Sequence, residues 1–276
     1  MKYATWRTAE DVAAMYNSPM KGYWEHFSKG HLHFGYWDET NASAPIHEAV
    51  ERANQLYIAR ADVGPVQRWL DAGCGNGALA VQLARAKGCR VDGVTVASAQ
   101  YEMARRFAEE SDVADRVAFH LADMLEPRFD PGTFDGVWFI ESIFHMGQRK
   151  ALQAVAPLMR RGAQLIIVDF PLLASFSDEQ MGVLNQNWCA NEFLPLGDYP
   201  ALLRDCGFEH VSSTDLTQNT VVPGFRRWLE ATRERKEEMI RACGRQAYDA
   251  IVASLPNTLS LAGTSFGYAI IEGRKV

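Results

Sequence analysis

Leu70-Asp71-Ala72-Gly73-Cys74-Gly75-Asn76-Gly77 sets an acidic residue before glycines at every second position. An apolar lead-in from Val66 to Leu70 precedes it and an Ala/Leu-rich run, Ala78 to Ala86, follows. Glycine allows positive φ and lets a ligand approach the main chain closely. The helix expected next presents free N–H groups and the positive end of its dipole to that ligand. A strand–Gly loop–helix unit of this kind binds a nucleotide-like cofactor. Further along, Glu141-Ser142-Ile143-Phe144-His145-Met146 and Ile166-Ile167-Val168-Asp169-Phe170 place a histidine and carboxylates at the ends of apolar runs. A histidine with a pKa of about 6.5 can take a proton at neutral pH. An aspartate beside it can orient the ring or hold a hydroxyl.

The glycines alone leave the cofactor open, since Gly73, Gly75 and Ala78 also satisfy the dinucleotide pattern G-x-G-x-x-G/A. A dehydrogenase wants an acidic residue at the end of the second strand for a ribose hydroxyl. Here that strand reads Arg90-Val91-Asp92-Gly93-Val94-Thr95, with Asp92 inside it and Thr95 at its end. With Asp71 two residues before the first glycine, the loop resembles the first motif of class I S-adenosylmethionine (SAM)-dependent methyltransferases, D/E-x-G-x-G-x-G. The resemblance implies that Asp71 faces the methionine amino group of SAM, with Gly73, Cys74, Gly75 and Gly77 forming the cradle.

Other segments extend the resemblance. Thr95-Val96-Ala97-Ser98-Ala99-Gln100 resembles a subgroup, G-[IVL]-[TS]-x-S-x-x-Q, in which Thr95, Val96 and Gln100 serve the ribose in place of a carboxylate. A plain N-cap by Ser98 is the bland reading, and both can hold. Asp123 and Met124, after the third strand, correspond to residues at the adenine; a turn cap is the alternative for Asp123. Gly30-His31-Leu32-His33-Phe34-Gly35-Tyr36-Trp37-Asp38, with Tyr16 and Tyr23-Trp24 before it, looks like the N-terminal cap of tocopherol, sterol, cyclopropane-fatty-acid and sugar methyltransferases. That likeness implies Tyr16 and Tyr36 near the methionine part of the cofactor; a small hydrophobic cluster is the alternative.

The E-S-x-x-H-M and D-F segments resemble natural-product sugar O-methyltransferases. They imply His145 and Asp169 at the substrate hydroxyl and Glu141 beside the methionine moiety or as a third catalytic group. Methyl transfer from a sulfonium requires an aligned nucleophile and removal of its proton. The aromatics Phe144, Phe170, Trp188, Phe193, Phe225 and Trp228 are expected to wall a moderately apolar substrate pocket. They also leave open C-methylation of an alkene, with a carbocation held by ring faces and Glu141 or His145 as base. A methyltransferase-like cyclase or binding module that merely keeps SAM is a further alternative.

The elements that must position these groups alternate along the chain. Helices are expected near 8–17, 45–62, 98–111, 148–159 and 198–206, and from Gly224. Strands are expected at 90–95, 116–121, 134–139, 163–168, 208–216 and 265–273. Met103, Ala104, Phe107 and Ala108 are expected to form one buried helix face. The pattern predicts an α/β, Rossmann-like sheet of seven strands, mostly parallel with an antiparallel last strand and helices on both faces. Ligands in such sheets bind beyond the carboxyl ends of the strands, where Asp71, Thr95, Asp123, Glu141 and Asp169 fall. The expected organisation is an N-terminal cap, 1–62, and a cofactor-binding core, 63–276, with lid elements near 171–200 and 223–262, as one structural domain.

Composition agrees with that reading. A formal charge of −6 argues against a nucleic-acid partner. No apolar run reaches the roughly 20 residues that span a bilayer, and Met1 to Trp6 lacks the apolar core of a signal peptide. Cys74, Cys89, Cys189, Cys206 and Cys243 form no CxxC, which fits a reduced, cytoplasmic setting and no metal site. The acceptor molecule and a homo-oligomeric state are left open.

Overall fold

The computed structural model describes residues 6–18 and 28–276. Its strands are β1 (Arg68–Ala72), β2 (Arg90–Thr95), β3 (Val117–Leu121), β4 (Phe134–Ile140), β5 (Met159–Asp169), β6 (Phe208–Asp215) and β7 (Ala269–Lys275). They form one seven-stranded sheet in the order β3-β2-β1-β4-β5-β7-β6. The first five pair in parallel, whereas β7 runs antiparallel to both β5 and β6. The strand order reverses between β1 and β4, so their carboxyl ends flank the crevice where such sheets take ligands.

Alternation along the central strands supplies a core on each face. Trp138 and Ile140 of β4 join Trp69 and Tyr57 on one side, and Val137 and Phe139 join Leu70, Leu165 and Ile167 on the other. Gly136 lies opposite Trp69, and a Cβ there would sit 2.0 Å from the indole. The close approach of β1 and β4 therefore depends on that glycine.

Some expectations are corrected. The first strand begins at Arg68, and Val66 is 96% exposed, because the Gly64–Gln67 turn carries it away from the sheet. The helix Ser98–Glu109 buries Gln100, Ala104 and Ala108 but leaves Met103 and Phe107 in solvent. It packs through small side chains: a Cβ on Gly77 would meet Ala104 Cβ at 2.9 Å. The large residues consequently point outward. A helix that was not expected, Asp178–Trp188, lies within the lid stretch near 171–200. The helix expected from Gly224 is two, Val221–Glu234 and Lys236–Cys243, followed by an unforeseen third, Arg245–Leu261. The last strand begins at Ala269, four residues later than expected. Among the described residues no helix is long and apolar enough to cross a membrane.

Candidate active site

A cavity of about 380 Å³ opens at the carboxyl ends of β1, β2 and β4, within the usual range of small-molecule sites. The glycine loop forms its floor. Gly73 (φ +88°) touches Ser142, where a Cβ would lie 2.5 Å from the serine Cβ. Gly75 (φ +55°) meets nothing closer than 3.7 Å, so a Cβ there would enter open cavity. Gly77 (φ +76°) is the N-cap of the helix Ala78–Lys87 and does not line the cavity. The loop thus offers main chain to a ligand where side chains would otherwise stand.

Carboxyl groups surround this floor. Asp71 is 2% exposed, and burial pushes its carboxyl up to about 7. Glu141 lies just past β4 at φ +50°, a strained backbone for a non-glycine residue. Its Oε1 accepts from the Phe34 N–H at 2.8 Å and the Tyr268 hydroxyl at 2.5 Å, and Tyr268 meets the Tyr57 hydroxyl at 2.9 Å. Burial raises Glu141 to about 8, so it carries its proton at neutral pH and ties the stretch around Phe34 onto β4. Asp123 accepts from the Leu125 N–H at 2.8 Å, the turn cap weighed from sequence, and also lines the cavity.

Thr95 donates its hydroxyl to Gln100 Oε1 at 2.8 Å and accepts from the Ala97 N–H at 3.3 Å. The pairing commits the oxygen of the Gln100 amide and leaves its N–H groups as donors. Ala97, not Ser98, is the N-cap of this helix, and no side chain caps it from that position. Val96, Met124 and Cys74 complete this wall.

His145 lies in the short helix Ile143–Met146 and lines the cavity. Its Nδ1 is 3.2 Å from the Cys189 carbonyl, which can only accept, so Nδ1 carries the proton. Nε2 therefore holds a lone pair, and the Tyr16 hydroxyl donates to it at 3.0 Å. Burial lowers the imidazole to about 4, so it is neutral at pH 7. Tyr16 ends the N-terminal helix Ala9–Tyr16, which covers the cavity.

Not every expected residue reaches the cavity. Tyr36 bonds through its N–H to Ala49 O and packs under Arg52; Tyr23 and Trp24 lie outside the described residues. Asp169 is fully buried, with Oδ2 accepting from Tyr199 at 2.6 Å and Gln148 at 3.1 Å; burial raises it to about 6. It does not line the cavity. None of Phe144, Phe170, Trp188, Phe193, Phe225 and Trp228 does so either, which corrects the expected aromatic wall. Five of them pack ring against ring with one another and with Phe34 and Phe266, and Trp228 is buried in the same core. Aromatic contacts of this kind favour a closed core.

Other lining residues were not singled out from sequence: Arg7, Thr8 and Glu10 of the N-terminal segment, His31 and His33, and Met146. A signal for the first group existed. Thr8 and Asp11 form a reciprocal capping box, T-x-x-D, that marks a helix start. Burial lowers His31 to about 4 and His33 to about 3, so both are neutral. Among the described residues no cluster of His, Cys, Asp or Glu is placed to hold a metal.

A glycine cradle at the β1 end, a polar pair at the β2 end and carboxyls near the end of β1 and just after β3 and β4 define an adenosyl-cofactor site of the methyltransferase class. Comparison with known proteins agrees. The family described as "Methyltransferase domain" matches residues 70–162. Methyltransferase GfsG of Streptomyces halstedii is 33% identical over 205 residues, spanning 70% of this chain and 73% of that protein. The 27-O-demethylrifamycin SV methyltransferase of Amycolatopsis mediterranei is 34% identical over 195 residues, or 68% and 70% of the two chains. In fold, the [4+2]-cyclase SpnF superposes with a TM-score of 0.84 over 99% of both chains at 22% identity. The chain belongs to the class I SAM-dependent methyltransferases. Its cofactor is SAM, which sets aside the nicotinamide alternative, and its reaction is methylation of a small molecule.

Proposed function

We propose that the enzyme methylates a hydroxyl oxygen of a moderately apolar natural product, with His145 receiving the proton. The observation that carries this reading is the lone pair of His145 Nε2, held towards the cavity by the Nδ1–Cys189 bond and already accepting a hydroxyl, that of Tyr16. The acceptor's hydroxyl takes the place of the tyrosine's. Relatives named O-methyltransferases in Aspergillus, and the Amycolatopsis relative named for a 27-O-demethyl compound, support oxygen over carbon. So does the packing of the aromatics, which keeps them from acting as a cage for a carbocation.

SAM, when bound, supplies an electrophilic sulfonium methyl group. Asp71 holds its ammonium, the main chain of Gly73 and Gly75 lies along its methionine part, Thr95 and Gln100 face the ribose, and Asp123 with Met124 faces the adenine. Both the open cradle at Gly75 and the buried carboxyl of Asp71, raised to about 7 by that burial, fit this cationic amino-acid moiety. An imidazole near 4 is a weak base, yet it suffices. The acceptor oxygen becomes strongly acidic as its bond to carbon forms, so its proton passes to Nε2 late in that step. Neutral Glu141 and the N-terminal helix exclude water and fix the stretch around Phe34. The N-terminal cap, 1–62, and the core, 63–276, act on this reading as cover and cofactor platform.

The test is His145→Ala assayed with an acceptor that the wild-type enzyme methylates. Turnover falls roughly 10²- to 10⁴-fold, while affinity for S-adenosylhomocysteine changes little. Unchanged turnover removes His145 as proton acceptor.

A further inference from the structure

We infer that Asn191 is a positioning residue that makes closure of the N-terminal helix and orientation of His145 a single event; the inference rests on the role proposed for His145. The Asn191 side chain uses three of its four hydrogen-bonding positions. Its Oδ1 accepts from the Arg7 N–H at 2.7 Å, and its Nδ2 donates to Arg7 O at 2.9 Å and to His145 O at 2.5 Å. One amide therefore clasps the start of the N-terminal segment and the backbone of His145 together. Its own main-chain N–H donates to Phe144 O at 2.9 Å. Two residues earlier, Cys189, in the left-handed region at φ +48°, supplies the carbonyl that fixes the His145 tautomer.

Residues 189–192 thus form a strap across His145, and the strap is anchored on both sides. Beneath it, Gln148 donates its N–H to Glu192 Oε2 at 3.2 Å, and its side-chain Nε2 to Glu192 O at 3.2 Å and Asp169 Oδ2 at 3.1 Å. Asp169 therefore bears on the chemistry through Gln148 and the strap. Above it, Asn185 accepts from Arg7 Nε at 2.9 Å and donates to Ala190 O at 2.9 Å. The far end of the N-terminal helix is held as well. Asn17 Oδ1 accepts from the Ala99 N–H at 3.0 Å in the first turn of the helix that carries Gln100, a bond that persists when the acceptor hydroxyl replaces that of Tyr16 at His145. A helix fastened at one end to the His145 strap and at the other to the ribose wall cannot lift without loosening both.

Two variants test this. Arg7→Pro removes the N–H that Asn191 accepts and the guanidinium on Asn185, but touches no contact made by His145 itself. Asn191→Ala removes the whole clasp. Both are made in the full-length enzyme with S-adenosylhomocysteine as ligand and with ¹⁵N-labelled histidine. The His145 ring signals are identified by their loss in His145→Ala. The expected result is a shift of the His145 ring resonances in both variants, a several-fold weaker S-adenosylhomocysteine affinity and about tenfold lower kcat. Unchanged His145 resonances in Arg7→Pro overturn the coupling, and Arg7→Pro carries the test should Asn191→Ala fail to fold. Shifted resonances with unchanged kcat uphold the coupling and instead overturn the role of His145 as proton acceptor.

Discussion

Asp71→Asn probes the site where the electrostatics make the sharpest demand. Burial lifts the Asp71 carboxyl from 3.8 to about 7, at most about 4 kcal/mol against ionisation. An ammonium group placed beside it restores the ionised form, so binding is linked to loss of a proton from Asp71. Below pH 7 the cofactor's own amino group, with a pKa of about 8, is already charged, and Asp71 titrates alone against it. The free enzyme then has roughly half of Asp71 ionised at pH 7 and roughly a tenth at pH 6. Affinity for S-adenosylhomocysteine should therefore be about fivefold weaker at pH 6 than at pH 7, with about 0.9 proton released on binding at pH 6 and about 0.5 at pH 7. Calorimetry in buffers of different ionisation enthalpy reads both quantities. In Asp71→Asn the proton release and the pH dependence disappear, and affinity falls by about 10- to 100-fold, as for loss of a charge-assisted bond. Wild-type binding at pH 6 with no proton release, or Asp71→Asn binding as tightly as wild type, refutes the placement of the ammonium at Asp71.

The same carboxyls set the pH dependence of the free enzyme's stability. Asp71 and Glu141 are raised by burial, so the stability they contribute is present below their unfolded values of 3.8 and 4.5 and is lost as pH rises through about 7 and about 8. His31, His33 and His145 are lowered, so their contribution is present above 6.5 and is lost as pH falls towards 4 and 3. Thermal unfolding should consequently show a falling melting temperature from pH 6.5 to 9, with a shallower fall in Asp71→Asn; a rising profile over that range contradicts the burial of these carboxyls. Gly73→Ala places a Cβ 2.5 Å from Ser142 at φ +88°. It should lower the melting temperature and weaken S-adenosylhomocysteine binding by more than tenfold, and binding within twofold of wild type argues against the cradle.

What the sequence made legible, and what it did not, follows from the range of the forces involved. The glycine loop could be read because backbone conformation restricts residue type locally, and the alternating strands because the period along each is local too. Thr95 and Gln100 stood out through a resemblance that gave both to the ribose, whereas the bond between them was not foreseen. The aromatics could not be placed, since a large ring serves a packed core as well as a pocket wall. Phe170 and Phe225 took the core. Met103 and Phe107 had the spacing of a buried face, but Gly77 and Ala104 settled the helix orientation from across the loop. Helix Asp178–Trp188 carries little apolar periodicity, although Ser177 and Gln180 spell out its capping box. The tautomer of His145 depends on Cys189, whose carbonyl is 44 positions away. No local pattern encodes that bond, and it decides what His145 can do.

The destination of the methyl group decides whether His145 serves an oxygen acceptor. The enzyme is incubated with methyl-¹³C-labelled SAM and a panel of hydroxylated, apolar polyketides and terpenoids, and the carbon resonance of the labelled product is recorded. A methoxyl signal and one molecule of S-adenosylhomocysteine per product are expected. Label appearing as a methyl group on carbon would contradict an oxygen acceptor, leaving the cofactor site standing but assigning His145 and the cavity to a different chemistry.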